Sequence, residues 1–456
     1  MTELAIALGL VFMLVCMAFA LLHSLRQRRV TLLGWALLAM GGIYGGGWAL
    51  VVSVTQAGGN PVWEHWLLPV EHLYPLHTLS AFILFGCTYI GWLVASSMPI
   101  RLPRCLNGSR MQNNDRLVYA AWILLFVALL MQWMYTRAYG GFIGVLQYSV
   151  DIRSGIFEIQ NPLSFLQPFG GLALFASFLF FGLWVGGSRS LGVKVGFVLA
   201  FLFSLYLLFS WLGRIGFLVY LVTFVLGVLL ARQTRPLPLL VGGGLTMLAI
   251  LFAAYQISIW LNLKAADNIA VFMARELAFP FGSFFAQLDS GQQLLRTFGD
   301  FLYAPVYLLP SSWWVNWVED VGQINTALIM GAPKGEQGVT GAIPVDLLTL
   351  GLMQATAAGI AGVGIVFGAS LWVIQRLLDE IRNPGIRAVF EAYVVMKLAM
   401  LAIFYAQPSL VVSGNFAFLL AVIIITLFAN TPRMRFFRKS GQMGVVRQVC
   451  PPKISL

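Results

Sequence analysis

Eleven runs of about twenty apolar residues, each bounded by arginines or by Pro/Gly clusters, divide this chain from end to end. A helix rising 1.5 Å per residue needs about twenty residues to cross ~30 Å of hydrocarbon. Lipid satisfies no backbone polar group, so a run of this kind that crosses a bilayer has to be helical. Composition agrees, since 59% of the 456 residues are hydrophobic and 10% charged, where soluble domains carry roughly a quarter charged. The sequence therefore predicts an all-α, polytopic membrane protein with about 11 transmembrane helices. They fall at 2–23, 31–55, 76–97, 117–136, 164–186, 193–212, 215–231, 237–258, 344–374, 386–405 and 408–429. The first run lacks a basic leader and a small-residue cleavage site, and is read as retained.

Orientation follows from where Lys and Arg sit in the short loops. Of the 28 basic residues, twenty lie in one set of alternate loops and the tail, seven in the other set, and Lys397 inside a span. That asymmetry puts the first set in the cytoplasm, the N-terminus outside and the C-terminus inside. The formal net charge of +11 reads as anchoring against anionic lipid rather than nucleic-acid binding. The expected organisation is a bundle over 1–258 with an external loop at 137–163, a large external loop at 259–343, a second bundle over 344–430, and a basic cytoplasmic tail at 431–456. The large loop carries Trp313, Trp314 and Trp317 and two helix-length amphipathic pieces, 268–287 and 294–308, which suits helices lying in the membrane interface.

Common soluble chemistries are missing from the pattern. There is no phosphate loop, no dinucleotide fingerprint, no HExxH and no GxSxG. The four cysteines form no CxxC pair, which argues against a thiolate metal site or a disulfide framework. Of His23, His65, His72 and His77, the last three sit near one external loop at spacings that are not read as one helix face, so they read as polar residues of an interfacial loop beside Trp63 and Trp66 rather than as metal ligands.

The external arginines are more informative, because the positive-inside rule should have excluded them. A guanidinium offers a rigid fork of donors that matches phosphate oxygens and stays charged at any relevant pH. Arg214 sits in a turn of almost no length between two apolar runs, where an unpaired cation is costly. It calls for an anion or for snorkelling to headgroups. Arg153 and Arg275 lie near Asp151 and Glu276, so a salt bridge or an anion site fits either one. Arg137 reads as an anchor or a substrate contact, and Arg296 as a solvated residue or a substrate contact. Among the carboxylates, Asp346 follows Pro344 at the start of a span and is the least solvated. It fits a general base or a helix N-terminal carboxylate stabilised by the macrodipole. The segment 331–344 holds four glycines, a composition suited to backbone contacts with an anion or a sugar, or to a connector.

Three stretches together resemble the membrane-embedded oligosaccharide repeat-unit polymerases of the O-antigen polymerase (Wzy) type. They are Gly140-Gly141-Phe142 followed by Arg153; the Gly213-Arg214 turn; and the ordered set Ala274-Arg275-Glu276, Pro280-Phe281, Tyr303-Ala304-Pro305, Leu309-Pro310-Ser311-Ser312-Trp313-Trp314, Asn325, Gly341, Pro344 and Leu350-Gly351-Leu352. An Arg-x10-Gly spacing common in that family is not found at Arg137 or Arg153, where Tyr148 and Ser164 stand in place of the glycine. The resemblance implies a metal-independent glycosyltransferase without cofactor, in a bacterial inner membrane with its active site facing the periplasm. It would move a growing glycan from undecaprenyl diphosphate to the non-reducing end of a new lipid-linked repeat unit. Its partners would be undecaprenyl-diphosphate-linked oligosaccharides, membrane lipids and a chain-length regulator, with no nucleic acid. It further implies catalytic roles for Arg153, Arg214 and Arg275 at the leaving diphosphate, Asp346 or Glu276 at the acceptor, and substrate contacts from Arg137, Arg296, Lys334 and Asn325. Neighbouring expectations are an O-antigen ligase, whose external loop is richer in His, and, from another class, a lipid-oligosaccharide flippase.

Overall fold

The architecture comes from a computed structural model and is described over residues 2–58, 68–98, 114–154, 159–211, 214–232, 236–260, 268–291, 295–309 and 313–430. Among these residues every regular element is helical. Helices α1 (Thr2–Gln27) and α2 (Leu32–Gln56) are followed by α3 (Tyr74–Ser97) and α4 (Asn114–Thr136). The short α5 (Ser149–Ser154) precedes α6 (Leu172–Val185), α7 (Leu191–Ser210), α8 (Arg214–Ala231) and α9 (Pro236–Trp260). Next come α10 (Ile269–Leu277), α11 (Phe279–Ser290), α12 (Val321–Met330) and α13 (Leu347–Asp379). Helix α14 (Pro384–Val394) continues through a π-helical stretch, Val395–Met400, into Leu401–Phe404, before α15 (Pro408–Gly414) and α16 (Phe416–Asn430).

Helices stand in each of the eleven predicted windows, and their quality as spans differs. Among the described residues seven are long and apolar enough to cross a membrane, or nine if each of two bent pairs is one span. Ile215–Ala231 ranks as a shorter apolar helix, and α14 carries Arg387, Glu391 and Lys397 along its length. One bent pair falls within the stretch expected to be an external loop. Helices α10 and α11, expected to lie in the interface, meet at 46° and together are apolar enough for a span. Every residue of α11 from Pro280 to Gln287 is buried. The other expected amphipathic piece, 294–308, is reduced to the short turns Gly299–Leu302 and Ala304–Leu308. Trp313 and Trp317 are exposed, as suits residues meeting headgroups.

Glycine sets the tightest seam. On α13, Gly364 and Gly368 face α3, where a Cβ at Gly364 would lie 2.9 Å from the Leu84 carbonyl oxygen and one at Gly368 would collide with that of Thr88. Gly91 of α3 returns the contact against Ile365. Small residues four apart let helix backbones approach where lipid supplies no hydrophobic drive to association.

One end of the bundle gathers the α1–α2, α6–α7 and α13–α14 connections. There the Arg29 guanidinium donates to both Asp379 oxygens at 2.8 and 2.7 Å, Arg387 also bonds Asp379, and Gly186 packs on Asn383. Arg29 and Arg387 belong to the loop set read as cytoplasmic. The opposite end holds the candidate site.

Candidate functional site

Helix α13 is two helices. Ala355 and Thr356 leave helical backbone, Thr356 with φ of 52°, and helical geometry resumes only beyond them. In a continuous helix Gly351 and Ile360 would stand roughly 13 Å apart by rise alone. Here a Cβ on Gly351 would lie 2.7 Å from the Ile360 Cα, so Leu347–Gln354 folds back along the helix that follows. Both ends of this half-helix are closed by polar groups. At its C-terminus the orphan carbonyls of Met353 and Gln354 accept the N–H groups of Arg296 and Thr297 at 3.0 and 2.9 Å. Asp300, 2% exposed, takes two bonds from the Arg296 guanidinium at 2.9 Å each and one from the Gln354 amide at 2.8 Å. The paired carboxylate holds the Arg296 guanidinium pKa above its ordinary value.

At the N-terminus Asp346 is the cap. Its Oδ2 accepts from the Leu348 and Thr349 N–H groups and from the Tyr44 hydroxyl, the last at 2.7 Å. Of the two readings of Asp346, its partners match the helix N-terminal carboxylate; at 1% exposure it meets no acceptor hydroxyl in this conformation. The Tyr44 hydroxyl also donates to the Ile403 carbonyl at 3.2 Å. Beside it His77 is fully buried, 4.8 Å from Trp48 and 5.1 Å from Phe281 between ring centroids. His77 is therefore not the interfacial loop residue that its neighbourhood in the sequence predicted. His65 lies outside the described residues.

Helix α12 supports the accessible part of the site. Asp320 is its N-cap, accepting from the Gly322 N–H at 3.0 Å and from the Ser409 hydroxyl at 2.9 Å. Burial raises the Asp320 pKa above the usual carboxylate range, against the lowering effect of those bonds. One turn on, the Gln323 side chain accepts the Lys334 main-chain N–H at 3.0 Å. Lys334 Nζ then donates to the Arg153 carbonyl at 2.6 Å. Burial, and then the Arg153 charge, lower the Lys334 pKa. Two of the predicted cations are thus brought together, and the glutamine that holds the Lys334 main chain stands one helical turn from Asp320.

The remaining predicted residues sort by their contacts. Asn325 is fully buried, donating to Ser283 and Ile343 and accepting from Gln287. It ties α11 to α12 from within the core. Arg296 is likewise engaged at the half-helix, with a further ion pair to Glu319 at 3.8 Å. Arg137 is exposed, its guanidinium 5.1 Å from the Trp133 ring centre, in keeping with an anchor. Arg275 is half-buried in the last turn of α10, and Glu276 is exposed. Arg214 opens α8, while the Leu212–Gly213 part of its turn lies outside the described residues, as do Pro310, Ser311 and Ser312. The glycine-rich segment closes on itself, the Gly335 N–H donating to the Val339 carbonyl and the Val339 N–H to that of Glu336, both at 2.8 Å. Sequence reasoning missed Asp300 and Asp320. Asp320 was discoverable as an Asp directly before an apolar ten-residue helix, the usual N-cap signal.

Neither a scan against protein-family models nor searches among curated proteins and solved structures finds a match to this chain.

Proposed function

We propose that this protein is a lipid-linked oligosaccharide repeat-unit polymerase of a bacterial inner membrane, working at the periplasmic face. The observation that carries the reading is the convergence of Lys334 and Arg153, 181 residues apart, with Asp320 about one turn from the glutamine that holds Lys334. In the proposed reaction the bond from the anomeric carbon to the undecaprenyl-diphosphate oxygen breaks, and its electron pair leaves with the diphosphate. A bond forms to the acceptor hydroxyl oxygen, whose proton passes to Asp320. Cations fixed beside the leaving group bind it more tightly as charge develops, which lowers the barrier. Arg214 and Arg275 remain candidates for the same anion, and a chain-length regulator for a partner.

The test is gel profiling of surface glycans from a deletion strain complemented with wild type, Lys334→Gln or Arg214→Ala at equal expression. Long ladders should collapse to a single capped repeat in the deletion and stay collapsed with Lys334→Gln. Unchanged ladders in the deletion would sink the reading.

One observation favours transport as a second reading. Discontinuous helices with a buried carboxylate are how many transporters build their sites, and the α13 fold-back with Asp346 at its cap has that form. Loss of even the single repeat from the lipid core in the deletion strain would favour flipping or ligation over polymerisation.

A further inference from the structure

A second feature at the same end is a cavity of about 340 Å³ between α6, α7, α8, α14 and the α15–α16 bend. Its volume is at the lower end of the range for small-molecule pockets. The inner wall is aromatic, with Phe175, Phe178, Tyr220 and Tyr393, and the outer part is lined by Gln167 and Trp211. There is free space beside Gly414, where an added Cβ would meet nothing within 4 Å.

One cation lines this space. Lys397 sits in the π-helical stretch of α14, a distortion frequent at functional sites. Among the described residues the Lys397 side chain has no ion pair or hydrogen bond. An ammonium inside a span without a counter-charge is expensive, and charges at such depth mark ligand or ion paths. The wall itself is apolar, so the missing partner is an anion attached to an apolar chain.

We infer that this cavity binds the phosphate-proximal isoprene units of a polyisoprenyl phosphate, with the phosphate against Lys397 and the chain along Phe178, Tyr220 and Tyr393. The site rests on the polymerase reading for the identity of the lipid, and on the cavity and the unpaired lysine for its chemistry. Trp211 and Gly216, on either side of Arg214 in sequence, both line the cavity.

The experiment uses the purified full-length protein in detergent with a photoreactive farnesyl monophosphate and the matching farnesol. Wild type should bind the phosphate about tenfold or more tighter than the alcohol, the scale of one charge-assisted contact. Crosslinks should map to α6, α8 or α14. Lys397→Met should bring the two affinities together, while Gly414→Phe, which fills open space, should weaken both probes. Equal wild-type affinity for the two probes, or a preference that survives Lys397→Met, overturns the inference. So does displacement of the probe by inorganic phosphate as effective as by unlabelled farnesyl phosphate, which would indicate a free-anion site. Binding is read without turnover, so a strain whose glycan ladders ignore the deletion would remove the polymerase reading and leave the lipid site standing.

Discussion

Gln354 and Asp300 share a hydrogen bond of 2.8 Å just before the reversal at Ala355–Thr356, so one buried carboxylate holds both the half-helix and the side chain of Arg296, whose main-chain N–H closes it. Truncating Asp300 leaves Arg296 without its main partner. Removing one member of a buried pair costs about 3–5 kcal/mol. Asp300→Ala should therefore lower the thermal midpoint in detergent by several degrees, and Asp300→Asn, which keeps an acceptor for Gln354, should recover part of it. A midpoint unchanged by Asp300→Ala would mean that the half-helix is held by other contacts.

Lys334 and Arg153 should act on one anion. Either Lys334→Gln or Arg153→Gln should reduce polymer formation about tenfold or more, the scale of one charge-assisted hydrogen bond. The double variant should lose less than the product of the two single losses, because residues that share a partner couple. A strictly multiplicative result would separate their roles.

With Asp320 as the proposed base, activity should depend on pH. A base works only when deprotonated, and burial raises this carboxyl above its ordinary range. Activity should therefore decline on acidification at a pH higher than the unperturbed Asp value of about 3.9. A Ser409→Ala variant removes a bond that favours the charged form, so it should move that decline to still higher pH. Asp320→Asn should abolish the acid limb along with most of the rate; retention of the limb in that variant would assign it to another group.

The α3–α13 seam offers a stability test with its own control. Gly368→Leu forces side-chain atoms onto the Thr88 backbone and should destabilise the protein by about 1–3 kcal/mol, the usual scale of overpacking. Gly86→Ala lies on the same helix α3, where a Cβ meets nothing within 4 Å. It should be neutral or mildly stabilising, by up to about 1 kcal/mol. The two variants are compared by melting in the same detergent.

How much of this was readable beforehand depended on range. Apolar runs are local, so helices stand where hydropathy put them, α1 and α7 among the clearest. Arg29 and Arg387 meet at the end where the loop charges had grouped them. The half-helix was not readable, because Leu347–Gln354 and the helix after it form one unbroken apolar run, and the reversal between them is held by Arg296 and Thr297 from a distant segment. Helix α11 was misread for a related reason. Its phenylalanines look like an amphipathic surface helix until Trp48 and His77 supply the aromatic surroundings that cover them. At the site, charge type pointed to Lys334 and Arg153 but could not distinguish them from Arg296, whose carboxylate four residues on neutralises it.

The reversal in α13 also bears on how the protein is made. Val345 donates its N–H to Gln407, Tyr44 bonds the Ile403 carbonyl, and Asp320 takes its bond from Ser409. While the ribosome has yet to emit residues 403–409, each of these polar groups lacks that native partner. The half-helix is a little over two turns long, too short to be threaded by the translocon as a segment of its own. Its final seating therefore belongs to the last stage of biogenesis, after the C-terminal helices have entered the bilayer, and a nascent chain arrested before that point carries the helices of this protein without its site.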